Sequence, residues 1–406
     1  MRYNIHEKKL DNGLKLFHAE VPSDDISIIA NINAGPLYED ENNGGISHLV
    51  EHTIGKKTKK RPSHESIRKE EISLGGYSGW YTAHSNIYGY HTVILNDFEQ
   101  TLDLISDFLY NSIMEPAKIE KEKKIILDEI RLENDDLYRS LLLKYYNELY
   151  SGSKLGRSIS GNEETLKNMK TEDIVDFYNK MFTPANTTLF IVGGKSFGEV
   201  LETVEKYFKS DKKGQFYPIP KVEIPENKAR EMNIRKNLED VYVMLGNIVP
   251  PTNHKDFYAL NTLIDSLAIS ISDRLLHKES ISYDRDISYS NSVVSGFILA
   301  YASCHKKKYE RLREIINDEF RKVNEKEIQE NIIKDIIVST KKGFLLNHST
   351  TIMKAEAFMN FWLSGNIYEI NSYIENFEKV TPEQVRAAAK KYICPDKMTC
   401  VTLGNL

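Results

Sequence analysis

TEDIVDFYNKMFTPANTTLFIVGG, residues Thr171–Gly194, and TPEQVRAAAKKYICPDKMTCVTLGN, residues Thr381–Asn405, are written to one plan. Each reads as a threonine N-cap, an amphipathic helix, a proline-containing turn, an apolar strand and a glycine. They begin 210 residues apart in a chain of 406, about half its length. A unit that returns at half the chain length points to duplication. Two cores also suit a chain too long for one ordinary core. Between the halves, KSDKKGQFYPIPKVEIPENK (Lys209–Lys228) carries three prolines and several charges but no clear periodicity. It reads as a linker. The expected division is 1–210, a linker at 211–226, and 227–406.

Outward from the repeat, GLKLFHAEV and DISIIANINAG read as strands, whereas FEQTLDLISDFLYNSI, KIEKEKKIILDEIRLEN and TEDIVDFYNKMF read as helices. Strands and helices interleave without a βαβ glycine fingerprint, so the expected class is α+β. Hydrophobic residues make up 40% and charged residues 28%, as in a soluble globular protein, and the net charge of −5 gives no reason to expect nucleic acid as a partner. The basic run GKKTKKRPSH (Gly55–His64) lacks interleaved aromatics; solvated lysines that draw acidic peptides are the most it suggests. No apolar run approaches the roughly 20 residues of a membrane helix. The opening residues show no signal-peptide core. Three cysteines, Cys304, Cys394 and Cys400, lack metal or redox spacing. The expected address is the cytoplasm, with no membrane contact.

The chemistry is concentrated in GGISHLVEHT (Gly44–Thr53). On a helix, His48 and His52 stand about 40° apart on one face, where two imidazoles can grip a single divalent ion. Glu51 borders that face, and a carboxylate there can take a proton from a water acidified by zinc. A catalytic zinc needs a third protein ligand. KIEKEKKIILDEIRLEN offers Glu122 and Glu129, two helical turns apart on one face, and also Asp128. Spacing leaves the choice among them open.

The His48-Leu49-Val50-Glu51-His52 run, followed after 76 residues by Glu129, resembles the inverted zinc motif of the pitrilysin and mitochondrial-processing-peptidase family. LDNGLKLF near the start, GGISHLVEHTIGKKTKKRPSHESIRKEEISLGGY and FTPANTTLFIVGG carry the resemblance along the chain. It implies a zinc endopeptidase with one Zn²⁺ on His48, His52 and Glu129, Glu51 as the catalytic base, and Glu122 supporting the site from behind. It also implies the architecture: two α+β domains, each a mixed, mostly antiparallel sheet backed by helices, facing each other across a substrate cavity. At the 210-residue offset, Tyr258, Asn261 and Thr262 stand in for His48, Glu51 and His52, so a second zinc site is not expected.

The resemblance also implies that an edge strand after the zinc helix pairs with the peptide to be cut. The matching stretch is GGYSGWYTAHSNIYGYHT (Gly75–Thr92), with Gly79, Trp80 and Tyr81 as substrate-side residues. Gly79 replaces the asparagine usual in relatives and Trp80 a small residue, and Trp80 with Tyr81 could form an aromatic wall. Active relatives carry an arginine and a tyrosine seven apart in the second half. Here Tyr283 matches the tyrosine, but Leu276 occupies the arginine position, with Arg274 two residues early. An intact zinc motif beside a degraded clamp resembles the zinc-bearing subunit of a bacterial two-subunit peptidase, whose homologous partner supplies the arginine–tyrosine pair. Substrates would be peptides or unfolded polypeptides, leader sequences among them. A homodimeric oligopeptidase and a non-catalytic structural subunit are the alternatives.

Overall fold

Runs rich in valine, isoleucine and aromatic residues form two six-stranded sheets in the computed structural model, which describes residues 2–326 and 328–406. The first sheet holds β1 (His6–Lys9), β2 (Lys15–Glu20), β3 (Asp25–Ile32), β4 (Tyr77–Thr82), β5 (Ile87–Ile94) and β6 (Thr187–Gly193). Its order is β1-β2-β6-β3-β5-β4. The second holds β7 (Arg230–Arg235), β8 (Asp240–Gly246), β9 (Ile248–Val249), β10 (Arg285–Asn291), β11 (Gly296–His305) and β12 (Thr399–Gly404). Its order is β10-β11-β8-β12-β7, with the short β9 beside β11. Each sheet contains one parallel pair, β2 with β6 and β7 with β12; the other pairs are antiparallel. Read from β4 and from β10, the two sheets repeat one topology.

The helices are α1 (Ile46–Thr53), α2 (His64–Leu74), α3 (Phe98–Asn111), α4 (Pro116–Asp135), α5 (Leu137–Leu149), α6 (Glu163–Asn168) and α7 (Thr171–Met181), then α8 (Phe197–Tyr207), α9 (Phe257–Ser272), α10 (Tyr309–Glu325), α11 (Glu330–Leu346), α12 (Thr351–Leu363), α13 (Tyr373–Glu378) and α14 (Pro382–Tyr392). The chain from 208 to 229 forms neither helix nor strand. None of the described helices is long and apolar enough to cross a membrane.

The repeated unit appears as α7–β6 and α14–β12. Its second copy begins as expected: the Thr381 hydroxyl accepts from the Gln384 N–H, and the Gln384 side chain accepts from the Thr381 N–H. In the first copy the cap lies one residue earlier than expected. Asp173 accepts from the Lys170 N–H at 2.8 Å, which makes Lys170 the cap and Thr171 the first helical residue.

β3 reads DISIIANI without polar alternation because both of its faces are buried. Ile26, Ile28, Ala30 and Ile32 join the core under α1, α3 and α7. Ile29 lies on the other face, where α12 arrives from the second half of the chain and packs Ala355, Phe358 and Met359 against Phe17, Ile29 and Phe190. The second sheet receives α5 from the first half in the same manner. Leu141, Tyr145 and Leu149 cover Met244, Phe297 and Val401, and the Tyr145 hydroxyl donates to the Ile298 carbonyl at 3.2 Å. Each half therefore closes the other's sheet.

The basic run after α1 holds little free charge. Lys57 pairs with Glu115, Lys60 with Asp103, and Lys56 stands 3.6 Å from Glu122. Arg61, 6% exposed, reaches Glu70 at 2.6 Å and Asp103 and Asp107 at 2.9 Å. These residues brace α2 against α3, so the expected pull on acidic peptides has little charge left to act through.

Candidate metal centre

Gly45 starts α1 with a left-handed backbone (φ 92°), and a Cβ on it would stand 2.7 Å from the Ser160 carbonyl. Glu39 then holds the first turn: its buried carboxylate accepts from the N–H groups of Gly45 and Ser47, both at 2.9 Å. A carboxylate at this end satisfies free N–H groups and matches the helix dipole. Burial pushes the Glu39 carboxyl above its ordinary range, and the two N–H donors oppose that shift. Sequence reading missed Glu39, because an acid six residues ahead of the cap residue Gly45 belongs to no local capping pattern.

Four-residue spacing places the His48 and His52 rings edge to face, with centroids 4.6 Å apart. α4 crosses α1 and brings Glu129 Oε2 to 3.6 Å from His52 Nε2. One ligand atom from each of His48, His52 and Glu129 lies within 4.8 Å of the others, and among the described residues they form the one such group. Donors arranged tetrahedrally about 2.1 Å from zinc stand about 3.4 Å apart, close to the His52–Glu129 spacing. The donor chemistry also fits. Burial, helped by neighbouring His52, pushes the His48 imidazole down to about 4, so it is neutral and offers a lone pair. Glu122 lies behind, its Oε2 3.3 Å from His52 Nδ1, where it orients the ring. Asp128, the other acid that spacing left open, sits on the exposed side of α4 and pairs with Arg131 at 2.8 Å.

Glu51 stands beside the trio. Its Oε2 accepts from Thr82 Oγ1 at 2.7 Å. Burial raises the Glu51 carboxyl above its ordinary range, against the Thr82 hydrogen bond and His52, which lower it. Thr82 was invisible to sequence reading, since its role depends on β4 ending against α1.

β4 is an edge strand, bonded to β5 alone. Gly79 lies opposite Tyr90, whose ring would be 2.7 Å from a Cβ on that glycine. Trp80 lies over Gly89 at the same distance from a Cβ there. Each aromatic ring thus fills the space its cross-strand glycine leaves open. The shared aromatic wall does not form. Consecutive strand residues face opposite sides, so Trp80 packs toward the helix-side core while Tyr81 meets Tyr88 and Tyr90 on the other face.

The second-half candidates, Arg274 and Tyr283, lie where α9 gives way to β10. α9 runs into a π-helical turn, Asp273–Lys278, which alters the backbone around Arg274. The Arg274 guanidinium donates to Glu319 at 2.8 Å and lies within 3.6 Å of Glu279 and Asp318. Tyr283, by contrast, is 82% exposed. Arg274 is committed to holding α9 and α10 together.

Comparisons with known proteins agree with this geometry. Residues 18–163 match the model of Insulinase (Peptidase family M16), and residues 168–337 match that of the Peptidase M16 inactive domain. An uncharacterized zinc protease of Rickettsia felis is 28% identical over 343 residues, 82% of each chain. The mitochondrial-processing peptidase subunit beta of Dictyostelium discoideum is 30% identical over 209 residues, 51% of this chain and 44% of that one. In fold, the chain is similar to the crystal structure of a protease from Helicobacter pylori, with a TM-score of 0.92, 21% identity and 99% of each chain covered. With a catalytic-type first half, an inactive-type second half and a His-His-Glu group at the crossing of α1 and α4, the chain belongs to the M16 family of zinc proteases.

Proposed function

We propose that this chain is the zinc-bearing subunit of a two-subunit endopeptidase that cuts peptides or unfolded polypeptides, leader sequences among them. The observation that carries the proposal is the meeting of His48, His52 and Glu129 within 4.8 Å, with the Glu51 carboxylate alongside. His48, His52 and Glu129 hold the ion, and Glu122 keeps His52 turned toward it. When bound, zinc acidifies a water and polarises the scissile carbonyl. Thr82 occupies one oxygen of Glu51, which leaves the other free to accept the proton of the attacking water. Glu51 then delivers that proton to the nitrogen of the leaving amine. The free edge of β4, which ends at Thr82, offers main-chain donors and acceptors to an extended peptide, a mode of binding that is tolerant of sequence.

The involvement of a partner is supported by the second half. Leu276 stands where active relatives are expected to carry an arginine, and Arg274 is bound to Glu319, Glu279 and Asp318. A homologous subunit would supply the missing clamp.

Glu51→Gln tests the chemistry. The variant should retain one zinc per chain by elemental analysis and lose cleavage of a fluorogenic peptide by at least about 100-fold. Normal turnover in the variant would remove Glu51 from the mechanism. Full activity of the purified wild-type chain, without a second kind of subunit, would remove the partner.

A further inference from the structure

A cavity of about 400 Å³ opens in the C-terminal half of the molecule between α9, α11, α12 and α13. It stands where the duplication would place a counterpart of the zinc site: Tyr258 on its wall lies 210 residues after His48. α11 and α12 follow α9 there as α4 and α5 follow α1 in the first half. The metal ligands are gone: Tyr258, Thr262 and Ser339 stand at the positions of His48, His52 and Glu129, and of these Tyr258 faces the cavity. Phe257, Tyr258, Phe344, Phe361 and Tyr373 all line the space. Tyr373 ties the set together, with its ring 5.7 Å from Tyr258, 5.1 Å from Phe344 and 5.5 Å from Phe361.

The polar groups share one character. Among the described lining residues a single one carries a full charge, the Glu369 carboxylate, which accepts a hydrogen bond from Tyr258 at 2.5 Å. No lysine or arginine belongs to the lining. His348, 7% exposed, donates from Nδ1 to the Phe344 carbonyl, and its Nε2 is buried away from the open space. Gly343 adds a sign of reserved space. Glycine weakens a helix interior, yet it lies within α11, and a Cβ there would meet nothing within 4 Å.

An aromatic-lined recess with one anionic group suits a positively charged ligand. Ring faces attract cations, and a carboxylate supplies the counter-charge. A volume of this size falls in the range of small-molecule sites. We propose that this cavity binds a small organic cation, one that carries an ammonium group on an apolar or aromatic body. The site is separate from the zinc centre and does not depend on it.

Titration calorimetry with 2-phenylethylammonium and its neutral counterpart 2-phenylethanol tests the proposal on the full chain. The ammonium should bind saturably and about tenfold or more tighter than the alcohol. Glu369→Gln keeps the acceptor for Tyr258 and removes the charge; it should weaken the ammonium about tenfold and leave the alcohol unchanged. Gly343→Leu fills the space with a better helix former; it should abolish binding of both probes while the zinc content and the urea midpoint stay at their wild-type values. Equal affinity for the two probes, absence of saturable ammonium binding, or binding that survives Gly343→Leu would each overturn it. Should Glu369→Gln fail to fold, the two probes on the wild type still read the charge, and Gly343→Leu still reads the place.

Discussion

Phe358 lies in the C-terminal half of the chain, yet its fate should decide the stability of the N-terminal sheet. Its side chain is fully buried, inside the cluster that α12 forms with Phe17, Ile29 and Phe190, and its ring meets Tyr3 edge to face at 5.2 Å. Phe358→Ala removes a benzyl group from a packed interface, which costs about 3–5 kcal/mol. The lost edge-to-face contact adds about 0.5–1.5 kcal/mol. A total near 5 kcal/mol is a large part of the roughly 5–15 kcal/mol that holds a typical domain folded. Both tryptophans report on this sheet: Trp80 lies on β4, and the Trp362 ring stands 5.7 Å from Phe190 on β6. Urea unfolding followed by tryptophan fluorescence should therefore shift to lower denaturant. Hydrogen exchange should speed up in β3 and β6, which are more than 150 residues away in sequence. A loss below about 1 kcal/mol, or faster exchange confined to the second half, would refute the view that α12 closes the first sheet.

Other consequences can be measured independently. Glu122→Ala should lower zinc affinity by about 10–100-fold in a competition titration with a chromogenic chelator, because His52 loses the group that orients it. Arg61→Met should cost about 3–5 kcal/mol in urea unfolding, since Glu70, Asp103 and Asp107 would keep their charges without the guanidinium. His91, 4% exposed, is pushed down by burial to about 4 from its ordinary value near 6.5. Between those values the unfolded chain binds the extra proton. This contribution is therefore complete above about pH 6.5 and declines as the pH falls toward 4, by up to about 2 kcal/mol at pH 5. His91→Leu should flatten the change in urea midpoint between pH 7 and pH 5.

The parts of the site that were legible in sequence are those fixed by local geometry. His48 and His52 share a helical face because 3.6 residues make a turn, and Glu122 and Glu129 share one because seven residues make nearly two. What local geometry could not do was choose among acids on a second helix. Glu122, Asp128 and Glu129 differ only in how α4 crosses α1, and that angle comes from packing of the two helices over the sheet. The expected Trp80–Tyr81 wall failed for a local reason: neighbouring strand residues face opposite sides. Thr82 and Glu39 went unnoticed because each acts on a partner brought to it by the fold.

By itself the sequence established a chain built twice, with helix, turn and strand recurring at Thr171 and Thr381, and a pair of histidines four apart with a glutamate between them. These are short-range patterns, set by backbone periodicity and side-chain chemistry within a few turns. Tertiary structure alone decided that α5 and α12 cross over to cover each other's sheets, that Glu39 ties down the start of α1, and that Arg274 turns to Glu319. Those outcomes depend on which buried surfaces and charges find each other across 100 residues or more of chain, or across elements that no local pattern relates.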